Sequence, residues 1–196
     1  MKRFFAPTAI ALVLVACSPN STGAPTKGEE AAVTNTAAPA QPTLPSDTPT
    51  AQPGNVIGLE GLGDLKIGQA IPAKSSWAPR GAQTSDACQT VTSPLYPGVY
   101  AIVTGGKVRR ITVGKQSTVK LVEGIGAGSS EADVGKWFAG FRAEPHKYEA
   151  APAKYLTAPN AASGDPAVRF EIGQDGKVSL IHVGTMPELA YVEGCS

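Results

Sequence analysis

"GKVSLIHVG", residues 176–184, repeats "GKVRRITVG", residues 106–114, with six of nine positions identical at an offset of 70. Apolar residues alternate in both copies: Ile111 and Val113 in one, Ile181 and Val183 in the other. That period of two puts them on one face of a strand. A turn and a second alternating run precede each copy. The first reads "VYAIV-TGGK-VRRITV" from Val99 to Val113, the second "VRFEI-GQDGK-VSLIHV" from Val168 to Val183. Gly105-Gly106 and Asp175-Gly176 supply the positive φ that tight hairpin turns require. Both stretches are therefore predicted β-hairpins.

The echo extends upstream. "LKIGQ" (65–69) and "IGAGSS" (125–130) each place a glycine after an apolar residue and ahead of a candidate helix. In the second case Ser130-Glu131-Ala132-Asp133 fits a capping box. Val134, Trp137, Phe138 and Phe141 then follow at i, i+3, i+4 and i+7, one buried stripe. In the first case Pro72 and "SSWAPRG" leave the equivalent helix short or absent. The predicted fold is α+β: an antiparallel sheet built from two duplicated units of about 70 residues, with one amphipathic helix. A lone hairpin is marginal in water, so two halves sharing one core explain why the phrase recurs; chance similarity of two hairpins is the alternative. Tyr148, Tyr155 and Leu156 suggest two short strands between helix and final hairpin. Leu189, Tyr191 and Val192 suggest a last strand.

The carboxy-terminal half resembles a family of uncharacterised bacterial envelope proteins. The resemblance lies in "GIGAGSS", "PHKY", "YL", the "FEI…DGKV" hairpin and the closing "YVEGC". It implies a fold and a secreted setting and no activity. A looser likeness connects the two halves to duplicated α+β modules of the β-lactamase-inhibitor and outer-membrane assembly lipoprotein type.

The amino terminus bears on location. Lys2 and Arg3 precede a mostly apolar run, Phe4 to Ala16. It is shorter than the roughly 20 residues that cross a bilayer as a helix and reads as a secretory leader. It ends "LVAC", Leu14 to Cys17, which resembles the lipobox of bacterial lipoproteins. That resemblance implies cleavage before Cys17, a diacylglycerol on its sulfur and an acyl chain on its new amino group. Ser18, rather than Asp, implies the outer membrane, facing the periplasm. An ordinary leader with Cys17 a plain thiol is the alternative. Residues 18–55 are rich in Pro, Thr, Ala, Ser and Gly, with no aromatic residue. Such a segment cannot bury enough apolar area to offset its chain entropy. It is expected to be a disordered tether, about 35 Å end to end if flexible and about 120 Å if extended. The predicted organisation is thus a leader (1–16), a lipidated Cys and tether (17–55), a first β-rich unit (56–123) and a second α+β unit (124–196).

Of three cysteines, lipidation consumes Cys17 and leaves Cys88 and Cys195, a pair in an oxidising compartment. A disulfide between them would close the domain; two separate buried thiols are the alternative.

Without Lys2 and Arg3, 15 basic residues face 16 acidic ones, with no long run of either sign. Neither a nucleic-acid footprint nor a polybasic membrane patch is present. No H-x-x-x-H or C-x-x-C points to a metal, and no cofactor motif stands out beyond the covalent lipid on Cys17. "GLEGLG" (58–63) and "GIGAGSS" lack the P-loop ending and read as turns. The chain has two histidines. His182 lies on the strand face opposite Ile181 and Val183 and is expected at the surface. His146 follows Pro145 in a loop, in a structural or solvent role. Glu171, Glu188 and Glu193 are the carboxylates an envelope-glycan hydrolase would need.

The sequence favours a lipid-anchored, non-catalytic envelope module that binds a protein or cell-wall partner. Tyr96, Tyr100, Arg109 and Arg110 are its expected recognition patch, since Tyr and Arg are enriched at interfaces. An inhibitor of a secreted hydrolase, of the lysozyme or β-lactamase class, is the second reading. An envelope-glycan enzyme is the third.

Overall fold

The computed structural model describes residues 54–81, 85 and 87–195. The leader, Cys17 and the tether as far as residue 53 lie outside the described residues.

Three short strands come first: β1 (Val56–Gly58), β2 (Gly61–Leu62) and β3 (Leu65–Lys66). β4 (Ala78–Pro79), β5 (Cys88–Thr92), β6 (Val99–Thr104), β7 (Lys107–Val113) and β8 (Lys120–Leu121) follow. Helix α1 (Glu131–Trp137) precedes β9 (Arg142–Pro145), β10 (Lys154–Thr157), β11 (Ala167–Ile172) and β12 (Val178–Gly184). A small sheet runs β3-β2-β1-β8; the main sheet runs β4-β5-β6-β7-β12-β11-β10-β9. Every neighbour in the main sheet is antiparallel.

Both predicted hairpins form, β6–β7 and β11–β12, with Gly105, Gly106 and Gly176 at φ of 59°, 72° and 69°. They meet at the sheet centre, where β7 pairs with β12. Ile181 stands opposite Val113, Thr112 opposite His182 and Ile111 opposite Val183. Each hairpin carries one irregularity: opposite Ile102 and Val103 the pairing skips a residue of β7, and opposite Glu171 and Ile172 it skips a residue of β12. The upstream glycines dock alike. Gly68 N–H donates to Val108 O at 2.7 Å, and Gly128 N–H to Val178 O at 2.8 Å.

Alternation sorts the sheet into two faces. The first carries Val91, Val99, Ala101, Val103, Ile111, Val113, Phe170, Ile181 and Val183, buried against the small sheet and α1. Ser130 caps α1 as expected, its Oγ accepting from Asp133 N–H at 3.1 Å. The stripe is narrower than predicted. Val134 is buried, and Phe138 and Phe141 pack on Phe170 with centroids 5.1 and 5.8 Å away. Trp137 is 64% exposed. The helix stops there, Phe138 turns to φ −118°, and the chain swings the two phenylalanines inward without it.

The second face is polar and nevertheless buried. A strap, residues 185–195, crosses it and ends in a disulfide between Cys88 and Cys195, with Cα atoms 5.5 Å apart. The strap is not the expected strand. Glu188–Ala190 forms a 3₁₀ turn whose donors are satisfied locally, Leu189 N–H by Thr185 O and Tyr191 N–H by Glu188 O. Tyr148 also lies outside a strand, in the turn between β9 and β10.

Candidate functional site

Two assemblies of polar side chains stand out. The first lies under the strap. His182 occupies the predicted face but is 2% exposed, not at the surface. Strand alternation assigns a side; it does not report what covers that side. Its Nε2 lies 3.0 Å from Glu171 Oε1 and its Nδ1 2.9 Å from Thr112 Oγ1. A carboxylate only accepts, so Nε2 carries the proton and the Thr112 hydroxyl donates to Nδ1. The other Glu171 oxygen faces His146 Nε2 at 3.5 Å, the limit of a hydrogen bond. His146 Nδ1 accepts from the N–H groups of Tyr148 (3.2 Å) and Glu149 (3.0 Å), and the ring stacks on Tyr155 at 4.6 Å. Both histidines of the chain thus converge on one carboxylate.

Arg110 belongs to the same layer. It is 1% exposed, so it stands beneath the strap rather than in a surface patch. Its guanidinium donates to Glu188 O at 3.0 Å and to Tyr191 O, and Tyr100 hydrogen-bonds it. Arg169 lies 4.1 Å over the Tyr155 ring and reaches Glu144 at 3.3 Å. Burial lowers the Arg110 pKa, opposed by Tyr100 and Glu171. Burial also lowers that of His182, against its bond to Glu171. For Glu171, burial alone would raise the pKa. The bond and charge of His182, then those of His146, outweigh it and hold the carboxyl below its ordinary range.

Hydroxyl, imidazole and carboxylate run here in the order of a hydrolase triad. Thr112, however, is 0% exposed, between Tyr100 and His182 in the sheet. A substrate carbonyl has no approach to its Oγ1, and the layer acts as a bracket across the sheet centre. Glu188 is buried in the strap, and Glu193 pairs with Lys147 at 3.2 Å. Among the described residues, no group of three or more His, Cys, Asp or Glu could hold a metal ion.

The second assembly is an open cleft of about 450 Å³, walled by the 92–100 segment and residues 114–116. Here two of the predicted recognition residues meet. Tyr96 and Tyr100 both line it, with Arg80 and Lys115 among its other described lining residues. Tyr96 is held from behind by Trp77, ring centroids 5.6 Å apart and nearly parallel at 17°. Gly114 N–H donates to Gly98 O at 2.9 Å and ties the two walls together. Arg109 is half-buried at the irregularity of β7 and is not a lining residue. The expectation for Arg109 and Arg110 thus differs from the structure. The first sits at a bulge, the second has turned inward, and Arg80 and Lys115 supply the cations of the cleft.

Sequence reasoning missed the layer under the strap. A signal was present, because Thr112 and His182 hold the same place in the repeated phrase and an antiparallel join at the middle makes them partners. No family model, curated protein or solved structure matches this chain.

Proposed function

We propose that the chain is a bacterial lipoprotein of the outer membrane whose periplasm-facing domain is a non-catalytic binding module for a protein or cell-wall partner. Anchoring through acyl chains on Cys17 rests on the leader and the "LVAC" motif. Two or more chains on one cysteine hold a protein firmly where one alone is marginal. The observation that carries the binding role is the open cleft with Tyr96, Tyr100, Arg80 and Lys115 on its walls. It joins aromatic bodies to convergent charges, the usual make-up of a recognition site. The groups suited to chemistry are instead engaged with one another under the strap.

The domain is, in the same reading, a duplication with the β7–β12 join on a pseudo-twofold axis. The register supports it. Thr112 and His182, 70 residues apart, are direct partners, and Val113–Ile181 maps onto Ile111–Val183 under the same offset. Arg109 and Ser179, also 70 apart, are the residues passed over at the two irregularities.

Crosslinking in intact cells followed by purification and mass spectrometry tests both parts. A processed, acylated Cys17 and a reproducible crosslinked partner are expected. An unprocessed leader refutes the anchor; recovery of the protein alone at native abundance refutes the binding role.

A further inference from the structure

We propose that the end of the small sheet carrying Leu59 and Val122 rests on the lipid bilayer, both side chains entering the boundary between headgroups and acyl chains. The inference rests on the anchor reading and adds a second, non-covalent contact to it.

Strand pairing builds the patch. β1 and β8 are parallel neighbours, with Ile57 opposite Leu121. They end on the same side, so the turn after β1 (Leu59-Glu60) and the turn after β8 (Val122-Glu123) stand next to each other. The backbone closes both. Gly58 pairs with Gly61 across the first, and Gly124 N–H donates to Leu121 O at 2.9 Å across the second. Val122 is 79% exposed and Leu59 45%. A single exposed apolar side chain is ordinary. These two, however, border one open hollow of about 210 Å³, which Ile57, Leu121, Phe138 and Phe141 also line. Apolar surface therefore continues behind the tips, and contiguous surface of this kind marks a contact.

The course of the chain names the occupant. Residues 1–53 precede the described domain and lead into it at Gly54. Asn55 O accepts from Lys120 N–H at 3.0 Å, so the entry lies beside β8. β1 then runs for three residues, and the tips lie about 10 Å beyond the entry. In the anchor reading the acylated Cys17 sits on that incoming segment. Residues 18–53 cannot span more than roughly 130 Å, which keeps the bilayer within reach. A contact too weak to hold the domain alone then becomes an intramolecular one at high effective concentration.

Charge decides what kind of lipid contact this is. Glu60 and Glu123 follow the two tips, and Glu123 is itself a lining residue of the hollow. Anionic headgroups are repelled by such a rim, because it is basic segments that they attract. The contact is therefore apolar, as for interfacial segments that bury an apolar face at the headgroup boundary, and it suits a surface rich in phosphatidylethanolamine.

The test places the ¹⁵N-labelled, acylated chain in phosphatidylethanolamine nanodiscs, a small fraction of the lipid carrying a gadolinium chelate on its headgroup. Amide signals of Leu59, Glu60, Val122 and Glu123 should be lost first. Gly173 and Gly176 should keep theirs, since they follow the end of β11 opposite to Val168, a lining residue of the hollow. Leu59→Asp combined with Val122→Asp should lower the lipid-bound fraction about tenfold or more and restore the four signals. Both side chains are exposed, so the remaining amides report that the fold is kept. Mass spectrometry of the same sample separates the two readings. With Cys17 acylated, signal loss spread evenly over the domain, or unchanged by the double substitution, overturns this proposal and leaves the anchor standing. An unacylated Cys17 overturns both. A dimer in detergent that Leu59→Asp dissociates makes a second copy the occupant and also overturns it.

Discussion

Replacing Arg110 by Ala should free the strap before it unfolds the sheet. The guanidinium is the donor that reaches both Glu188 O and Tyr191 O. Hydrogen bonds from a charged group contribute about 1.5–3 kcal/mol each, and a buried carbonyl left without its donor costs about 1–3 kcal/mol. Part of this is offset, because an arginine at 1% exposure is itself costly to desolvate and its Nε has no hydrogen-bond partner among the described residues. A net loss of about 3 kcal/mol is expected. That is below the total stability of about 5–15 kcal/mol usual for a domain, and Cys195 still tethers the strap end. Hydrogen exchange should therefore show Leu189, Ala190 and Tyr191 amides opening in the variant while Ile111 and Ile181 stay protected. Urea unfolding should give the lowered global value. If the strap amides keep wild-type protection and the loss is below about 1 kcal/mol, Arg110 does not hold the strap.

Acid should destabilise the domain in two steps. His182 and Glu171 both have folded pKa values below their ordinary ones of 6.5 and 4.5. The unfolded chain therefore binds more protons in each window, and stability falls as pH drops below 6.5 and again below 4.5. Urea midpoints measured from pH 8 to pH 3 will show this, and Glu171→Gln should flatten the lower step. Cys88→Ser opens a loop with a sequence separation of 107. In the chain-entropy model it should cost about 5 kcal/mol, read from unfolding with and without reductant. Phe170→Ala, at 0% exposure between Phe138 and Phe141, should cost about 3–5 kcal/mol. Trp137→Ala, at 64% exposure, should change stability by no more than about 0.5 kcal/mol. Thermal melts of that pair separate the two, and equal losses would place Trp137 in the core.

The hairpins were legible because a period of two and a glycine turn are local properties. So was the start of α1, since Ser130 and Asp133 are three residues apart and need nothing else. The Cys88–Cys195 bond was expected once Cys17 was set aside for lipidation, and the structure has it. The length of the Phe138 stripe was not legible, because Phe138 and Phe141 reach Phe170 from beyond the end of the helix, and Phe170 is distant in sequence. The strap was misread as a strand for a related reason: Leu189 and Tyr191, two residues apart, mimic a strand when nothing shows whether a sheet edge is free to receive them.

The site divided in the same way. Tyr96 and Tyr100 were singled out by residue type and did fall together in the cleft. His182 was placed on the correct side of its strand and at the wrong depth, and Arg110, expected in a surface patch, is buried. Sequence by itself determined the alternation, the turns and the helix cap, because each depends on neighbours along the chain. Only the tertiary structure decided that β7 and β12 join at the middle, bringing Thr112 to His182, and that residues 185–195 fold back over them. Burial depends on what distant segments cover, and that depends on the free energy of the whole packed domain rather than on any stretch of it.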